Sequence, residues 1–153
     1  MRILVPALVA LSLLPGCRDQ RQQLGQALSG KPPVIAGSLE GEWVLADMNG
    51  GGKPAANIML LFDPGDHNTS RVSGSSGCNR FSGGWQQNGA TLKLGQFAST
   101  MMACPPPAME IEQRFLATLG AVNNVTYTAA GEAILAAPDG RKLLLRRPPK
   151  AAE

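Results

Sequence analysis

Residues 58–94 read IMLLFDPGDHNTSRVSGSSGCNRFSGGWQQNGATLKL. Four short apolar or alternating runs stand in this stretch: Ile58–Phe62, Arg71–Gly74, Phe81–Gln86 and Thr91–Leu94. Asp63-Pro64-Gly65 and Asn88-Gly89 punctuate them, supplying the fixed or positive φ with which a chain reverses. Runs this short and this closely spaced cannot be helices, and they predict strands of an all-β sandwich or barrel.

The same grammar continues on both sides. Further strands are expected at Gly41–Ala46, Phe97–Met101, Val125–Thr128, Ala133–Ala137 and Lys142–Arg147, with turns at Gly50-Gly51-Gly52 and Pro138-Asp139-Gly140. Trp43 and Leu45 fall on one face of the first run, because side chains alternate along a strand. One segment breaks the pattern. Over Pro107–Val122 the apolar residues Ile111, Phe115, Leu119 and Val122 recur at helical spacing behind a proline run that can start a helix. Glu110 and Glu112 are expected near the positive end of its dipole, and Gly120 near its last turn. The fold expected is mostly β, a small antiparallel β-barrel with one amphipathic helix packed on or into it. A filled interior would be built from Trp43, Leu60, Phe62, Leu92, Phe115 and Leu145.

The chain has 153 residues, enough for one domain with a real core but not for two ordinary ones. The formal charge is +3. It resides in the tails: between Ser38 and Pro148 nine acids (Glu40, Glu42, Asp47, Asp63, Asp66, Glu110, Glu112, Glu132, Asp139) balance nine bases (Lys53, Arg71, Arg80, Lys93, Arg114, Arg141, Lys142, Arg146, Arg147). Nucleic-acid binding needs a clustered basic face, and Arg141, Lys142, Arg146 and Arg147 are interrupted by three leucines, so no nucleic-acid partner is expected.

The N-terminus sets the compartment. Arg2 precedes an apolar run, Ile3 to Leu14, too short to cross a bilayer, which needs roughly 17 to 25 residues. Such a run is an export signal. It ends in Leu14-Pro15-Gly16-Cys17, which resembles the lipobox of bacterial lipoproteins, with Pro15 departing from the usual Ala or Ser. Cys17 is then the lipidated first residue of the mature chain, anchored stably because more than one acyl chain is attached. Arg18 in place of Asp implies, by the same resemblance, the outer membrane facing the periplasm, or the cell membrane in an organism without an outer one. The organisation expected is a signal peptide (1–16), a polar, Gln-rich tether (17–37), one folded and monomeric domain (38–148) and a short tail (149–153).

Candidate chemistry is sparse. With Cys17 acylated, Cys78 and Cys104 remain in an oxidising compartment, where a disulfide is the obvious pairing. Closing a loop of about 25 residues would contribute roughly 3 to 4 kcal/mol in the chain-entropy model. Two buried thiols or one reactive thiol are the alternatives. His67, in the turn Asp63–Asn68, is the lone imidazole and reads as a solvated loop residue. Neither a zinc site nor a hydrolase follows: Cys78, Cys104 and His67 lack paired ligand spacing, and Gly74-Ser75-Ser76-Gly77 is not a nucleophile elbow. Gly50-Gly51-Gly52-Lys53-Pro54 lacks the Ser or Thr of a phosphate loop and is a turn. Met101 and Met102 read as core or rim packing. No catalytic residue, metal or cofactor is expected.

The string Gly77-Cys78-Asn79-Arg80 stands out as polar residues amid β structure. Asn79 is expected in a left-handed turn capping backbone groups, and Arg80 paired with Glu110 or Glu112. Gly77, Asn79, Arg80 and Thr100 form either a tight bend locked to residues 100–104 or a ligand or partner site.

The run Gly74–Gly83, followed by Ser99-Thr100-Met101-Met102-Ala103-Cys104, then Met109-Glu110 and Phe115-Leu116, resembles the META domain of the HslJ-like heat-shock lipoproteins. Leu39-Glu40-Gly41-Glu42-Trp43 fits that family's opening. The resemblance covers about Ser38 to Arg147. It implies a small lipocalin-like barrel with one helix, an envelope location, and an association with stress and drug tolerance, but no reaction. Two functions are expected from different classes. One is a non-enzymatic envelope lipoprotein that binds a partner protein or supports envelope integrity. The other is a barrel that holds a small apolar ligand, which requires an open interior of a few hundred cubic ångströms.

Overall fold

The computed structural model describes residues 37–66 and 69–149. Among these described residues nine strands and one helix follow in chain order: β1 (Gly41–Met48), β2 (Met59–Asp63), β3 (Arg71–Ser75), β4 (Arg80–Asn88), β5 (Thr91–Leu94), β6 (Ala98–Ser99), α1 (Pro106–Leu119), β7 (Asn124–Tyr127), β8 (Ala133–Ala136) and β9 (Lys142–Arg146). Every expected strand forms, and all pairings are antiparallel.

Eight strands close a ring in the order β3-β2-β1-β9-β8-β7-β5-β4, and β4 returns to pair with β3. The ninth, β6, lies on the same edge of β4 as β5, opposite Phe81 and Ser82, while β5 takes Trp85 to Asn88. Closure is thinnest between β5 and β7, where only Thr91 and Asn124 are in register, helped by Leu92 N–H to Asn123 O and Val125 N–H to Ala90 O. Closing the sheet leaves no long open edge, the usual route by which sheet proteins avoid aggregating.

β1 runs two residues past its expected end because it carries a bulge. The register against β9 shifts between Leu45 and Asp47, so Met48 turns inward where strict alternation would have buried Asp47. Asp47 instead stands outside and accepts the N–H groups of Gly50 and Gly52, fixing the glycine turn.

The interior is solid. Trp43, Leu60, Phe62, Leu92, Phe115 and Leu145 are each at most 1% exposed, joined by Leu39, Leu45, Ile58, Val72, Val125, Leu135 and Leu143. Helix α1 lies over the end where β4 begins and β8 turns into β9. Its Phe115 meets Phe81 edge to face at 5.6 Å, and Arg141 from the β8–β9 turn donates to Ala117 O. At the opposite end Leu39 is fully buried, and its carbonyl accepts the Trp43 indole N–H at 2.6 Å. Around it Gln87 binds Leu39 N–H and Gly37 O, Tyr127 donates to Gln87, and the Arg147 guanidinium stacks 3.8 Å over the Trp43 ring. A cleft of about 850 Å³ at this end is polar, lined by Ser38, Glu40, Gln86, Asn88 and Lys93 among others, and is open to solvent.

The helix departs from expectation at both ends, stopping at Leu119, three residues before Val122. It starts one residue earlier, with no acidic residue in its first turn, so Glu110 and Glu112 lie too far along to face the N-terminal N–H groups. Gly120 does end it, in a right-handed conformation.

Candidate functional site

The β3–β4 hairpin, the chain after β6 and the start of α1 meet at one end of the barrel, and the Gly77–Arg80 string lies at their junction. Gly77 has φ 107°, and a Cβ there would approach the Ala56 Cβ to 2.7 Å, so glycine is required twice over. The left-handed residue of the turn is therefore Gly77; Asn79 has a negative φ, contrary to expectation.

Asn79 is 2% exposed and spends its whole amide. Its Oδ1 accepts from Met102 N–H at 2.7 Å and from the Thr100 hydroxyl at 2.8 Å. Its Nδ2 donates to Glu112 Oε1 at 2.8 Å and to Met102 O at 3.3 Å. Toward Met102 the side chain thus presents a donor and an acceptor side by side, as a strand backbone does. Thr100 completes the tie, its N–H donating to Arg80 O at 3.0 Å and its hydroxyl accepting Arg80 N–H at 3.1 Å.

Glu112 is the other half of the junction. It lies on the buried face of α1, 6% exposed, at helical spacing with Phe115 and Leu119. Ser76 donates its hydroxyl to Oε2 at 2.5 Å, and Asn79 donates its backbone N–H to the same oxygen at 2.7 Å. Burial pushes the Glu112 carboxyl up, but the hydrogen bonds from Ser76 and from Asn79 outweigh it and hold the group below its ordinary value. The carboxylate is ionised at neutral pH, with both oxygens engaged.

Arg80 takes part through its backbone alone. It is exposed and makes no ion pair among the described residues, while the Glu112 carboxylate is held by Ser76 and Asn79. Its expected pairing with Glu110 or Glu112 is absent. Cys78 and Cys104 form a disulfide with Cα atoms 6.0 Å apart, pinning the hairpin to the residues that lead into α1. Met101 and Met102 are 98% and 57% exposed, at the rim and outside the core.

The role of Glu112 escaped the sequence reading, although a signal existed: a carboxylate three residues before Phe115 on the apolar stripe has to be paired. Ser76, fully buried, is one of the donors that such a carboxylate calls for. His67 and Cys17 lie outside the described residues. Among those described, no three His, Cys, Asp or Glu side chains converge as a metal site.

The arrangement defines a class: a small, closed β-barrel domain with a filled interior, one capping helix and a disulfide-pinned hairpin. The META domain model matches residues 37–150, and the chain belongs to the META domain family. No curated protein matches it. Among solved structures, the NMR structure of a protein from Burkholderia xenovorans is similar, at 22% identity and a TM-score of 0.58, over 96% of this chain and 100% of that one. That likeness concerns the fold.

Proposed function

We propose that this protein is a non-enzymatic envelope lipoprotein whose META domain binds a partner protein in stress or drug tolerance or in envelope integrity. The observation that carries it is the commitment of every reactive group at the junction: Glu112 is ionised and saturated by three donors, Ser76 is tied to it, and Cys78 and Cys104 are oxidised. Beside the exposed Arg80, the junction presents a methionine-rich surface, which suits binding better than chemistry. The interior, occupied by its own side chains, disfavours the reading as a carrier of a small apolar ligand.

Anchoring through Cys17 follows from Leu14-Pro15-Gly16-Cys17, and the disulfide fits an oxidising compartment. The domain acts as a monomer and needs no cofactor. Mass spectrometry of membrane-extracted protein tests the location: acyl mass on Cys17 is expected. A soluble product retaining residues 1–16 and an unmodified Cys17 would overturn it. In a deletion strain challenged with heat and envelope-directed antibiotics, restoration by the wild type but not by Cys17→Ala is expected.

A further inference from the structure

We propose that the outer edge of β6 and of the chain that follows it to Ala103, with the apolar cleft between it and α1, takes up an extended, uncharged segment of a partner protein as an added β-strand. The proposal deepens the partner-binding reading and rests on it.

Three residues in alternation turn their backbone groups toward β4: Ala98 stands in register with Ser82, Thr100 N–H reaches Arg80 O, and Met102 N–H and O are met by the Asn79 amide. A period of two puts the N–H and C=O groups of Ser99, Met101 and Ala103 on the other side. There they have no backbone partner among the described residues, and all three residues are exposed, Met101 at 98%. Asn79 thereby extends the pairing beyond β6 as far as Met102.

Open edges are ordinarily blunted by charge, yet no residue from Leu94 to Met109 is charged. Beside the edge lies a mostly apolar cleft of about 380 Å³, lined by Met101, Met102, Ala103, Met109 and Leu116. Backbone bonds give affinity in strand addition and neighbouring pockets take alternate side chains, which is what edge and cleft together offer. The disulfide and the Glu112 ties fix the edge in advance, so little ordering cost falls on binding.

Size decides the occupant. A second copy paired along Ser99 to Ala103 would contribute five residues a side, against the roughly 20–30 a side of a stable protein interface. An extended peptide needs only the edge and the cleft.

The test uses the full-length protein in detergent, labelled with nitrogen-15, and the peptide acetyl-Val-Thr-Val-Thr-Val-Thr-Val-amide. Amide shifts and slowed exchange are expected at Ser99, Met101 and Ala103, and none with the same peptide N-methylated throughout. Met101→Pro removes one outward N–H without touching the inward bonds of Thr100 and Met102, and should weaken binding about tenfold or more. Met101→Ala keeps the backbone and should bind within about twofold of wild type. Equal loss in both variants, binding of the N-methylated peptide, shifts elsewhere, no binding at millimolar peptide, or dimerisation of the protein through this edge would each overturn the proposal. In cells, a partner photocrosslinked from Leu61 but never from position 101 would overturn the edge while leaving the partner-binding reading intact. No partner from any exposed position would remove both.

Discussion

Asn79 occupies both oxygens of Glu112 at once, its backbone N–H on Oε2 at 2.7 Å and its side-chain amide on Oε1 at 2.8 Å, across 33 residues of sequence. One residue therefore couples the hairpin to the helix, and the same amide reaches on to Met102. The pair is buried and fully satisfied, the condition under which polar networks specify a single arrangement.

Replacing Glu112 by Gln keeps the shape but sets an amide N–H₂ against donors. Stability should fall by about 2–4 kcal/mol, since a charged acceptor of three bonds is lost and one donor is left facing another. Urea denaturation at pH 7 measures it, and thermal melts should shift in parallel.

The carboxyl of Glu112 is held below its ordinary value near 4.5, so the unfolded chain takes up its proton first as pH falls. Its contribution is complete above that value and is lost as pH drops through the lower folded value. Wild type and Glu112→Gln should therefore differ most at pH 6–7 and converge in acid. Parallel pH–stability curves would contradict this account.

Asn79→Asp puts a second carboxylate against Glu112 and removes the Nδ2 donor. We expect a loss exceeding about 3 kcal/mol at pH 7, from two like charges without solvent between them. The loss should shrink toward pH 4, and Glu112→Gln in the same chain should recover part of it. A double-mutant cycle by chemical denaturation reads the coupling.

Reduction of the Cys78–Cys104 bond, or its replacement by serines, should cost about 3–4 kcal/mol through the restored freedom of the intervening loop. A thiol-alkylating reagent should label neither cysteine until reductant is added. Labelling of the native, unreduced protein would mean a free thiol.

A methyl group at Gly74 would lie 1.9 Å from Met59 O, in a strand flanked on both sides by β2 and β4. Gly74→Ala should fail to give a folded barrel, visible as loss of the near-ultraviolet dichroism of Trp43 and Trp85.

Strand positions were legible because each is a local pattern bounded by turn residues, and burial of Trp43, Phe62 and Leu92 followed from alternation. The bulge in β1 was not, since its cause is the need to keep Asp47 out of the core. Nor was the partner of Glu112: the choice between Arg80 and Asn79 depends on which side of β4 faces the helix, and only the closed ring fixes that. Asn79 stands out from its neighbours in the sequence, but its use as a piece of strand backbone requires Met102, which arrives from beyond β6.

The buckle formed by Leu39, Gln87, Tyr127 and Arg147 sits where β1 begins, with Arg147 Nη2 reaching Ser38 O at 3.5 Å. Tension applied at residue 37 meets this buckle before it meets the sheet. Behind it β1 is flanked by β2 and β9, so a pull along its axis must shear both ladders together rather than unzip them one bond at a time. Load entering at β1 is shared between two ladders from the start, as it would not be at β6, which pairs with β4 alone.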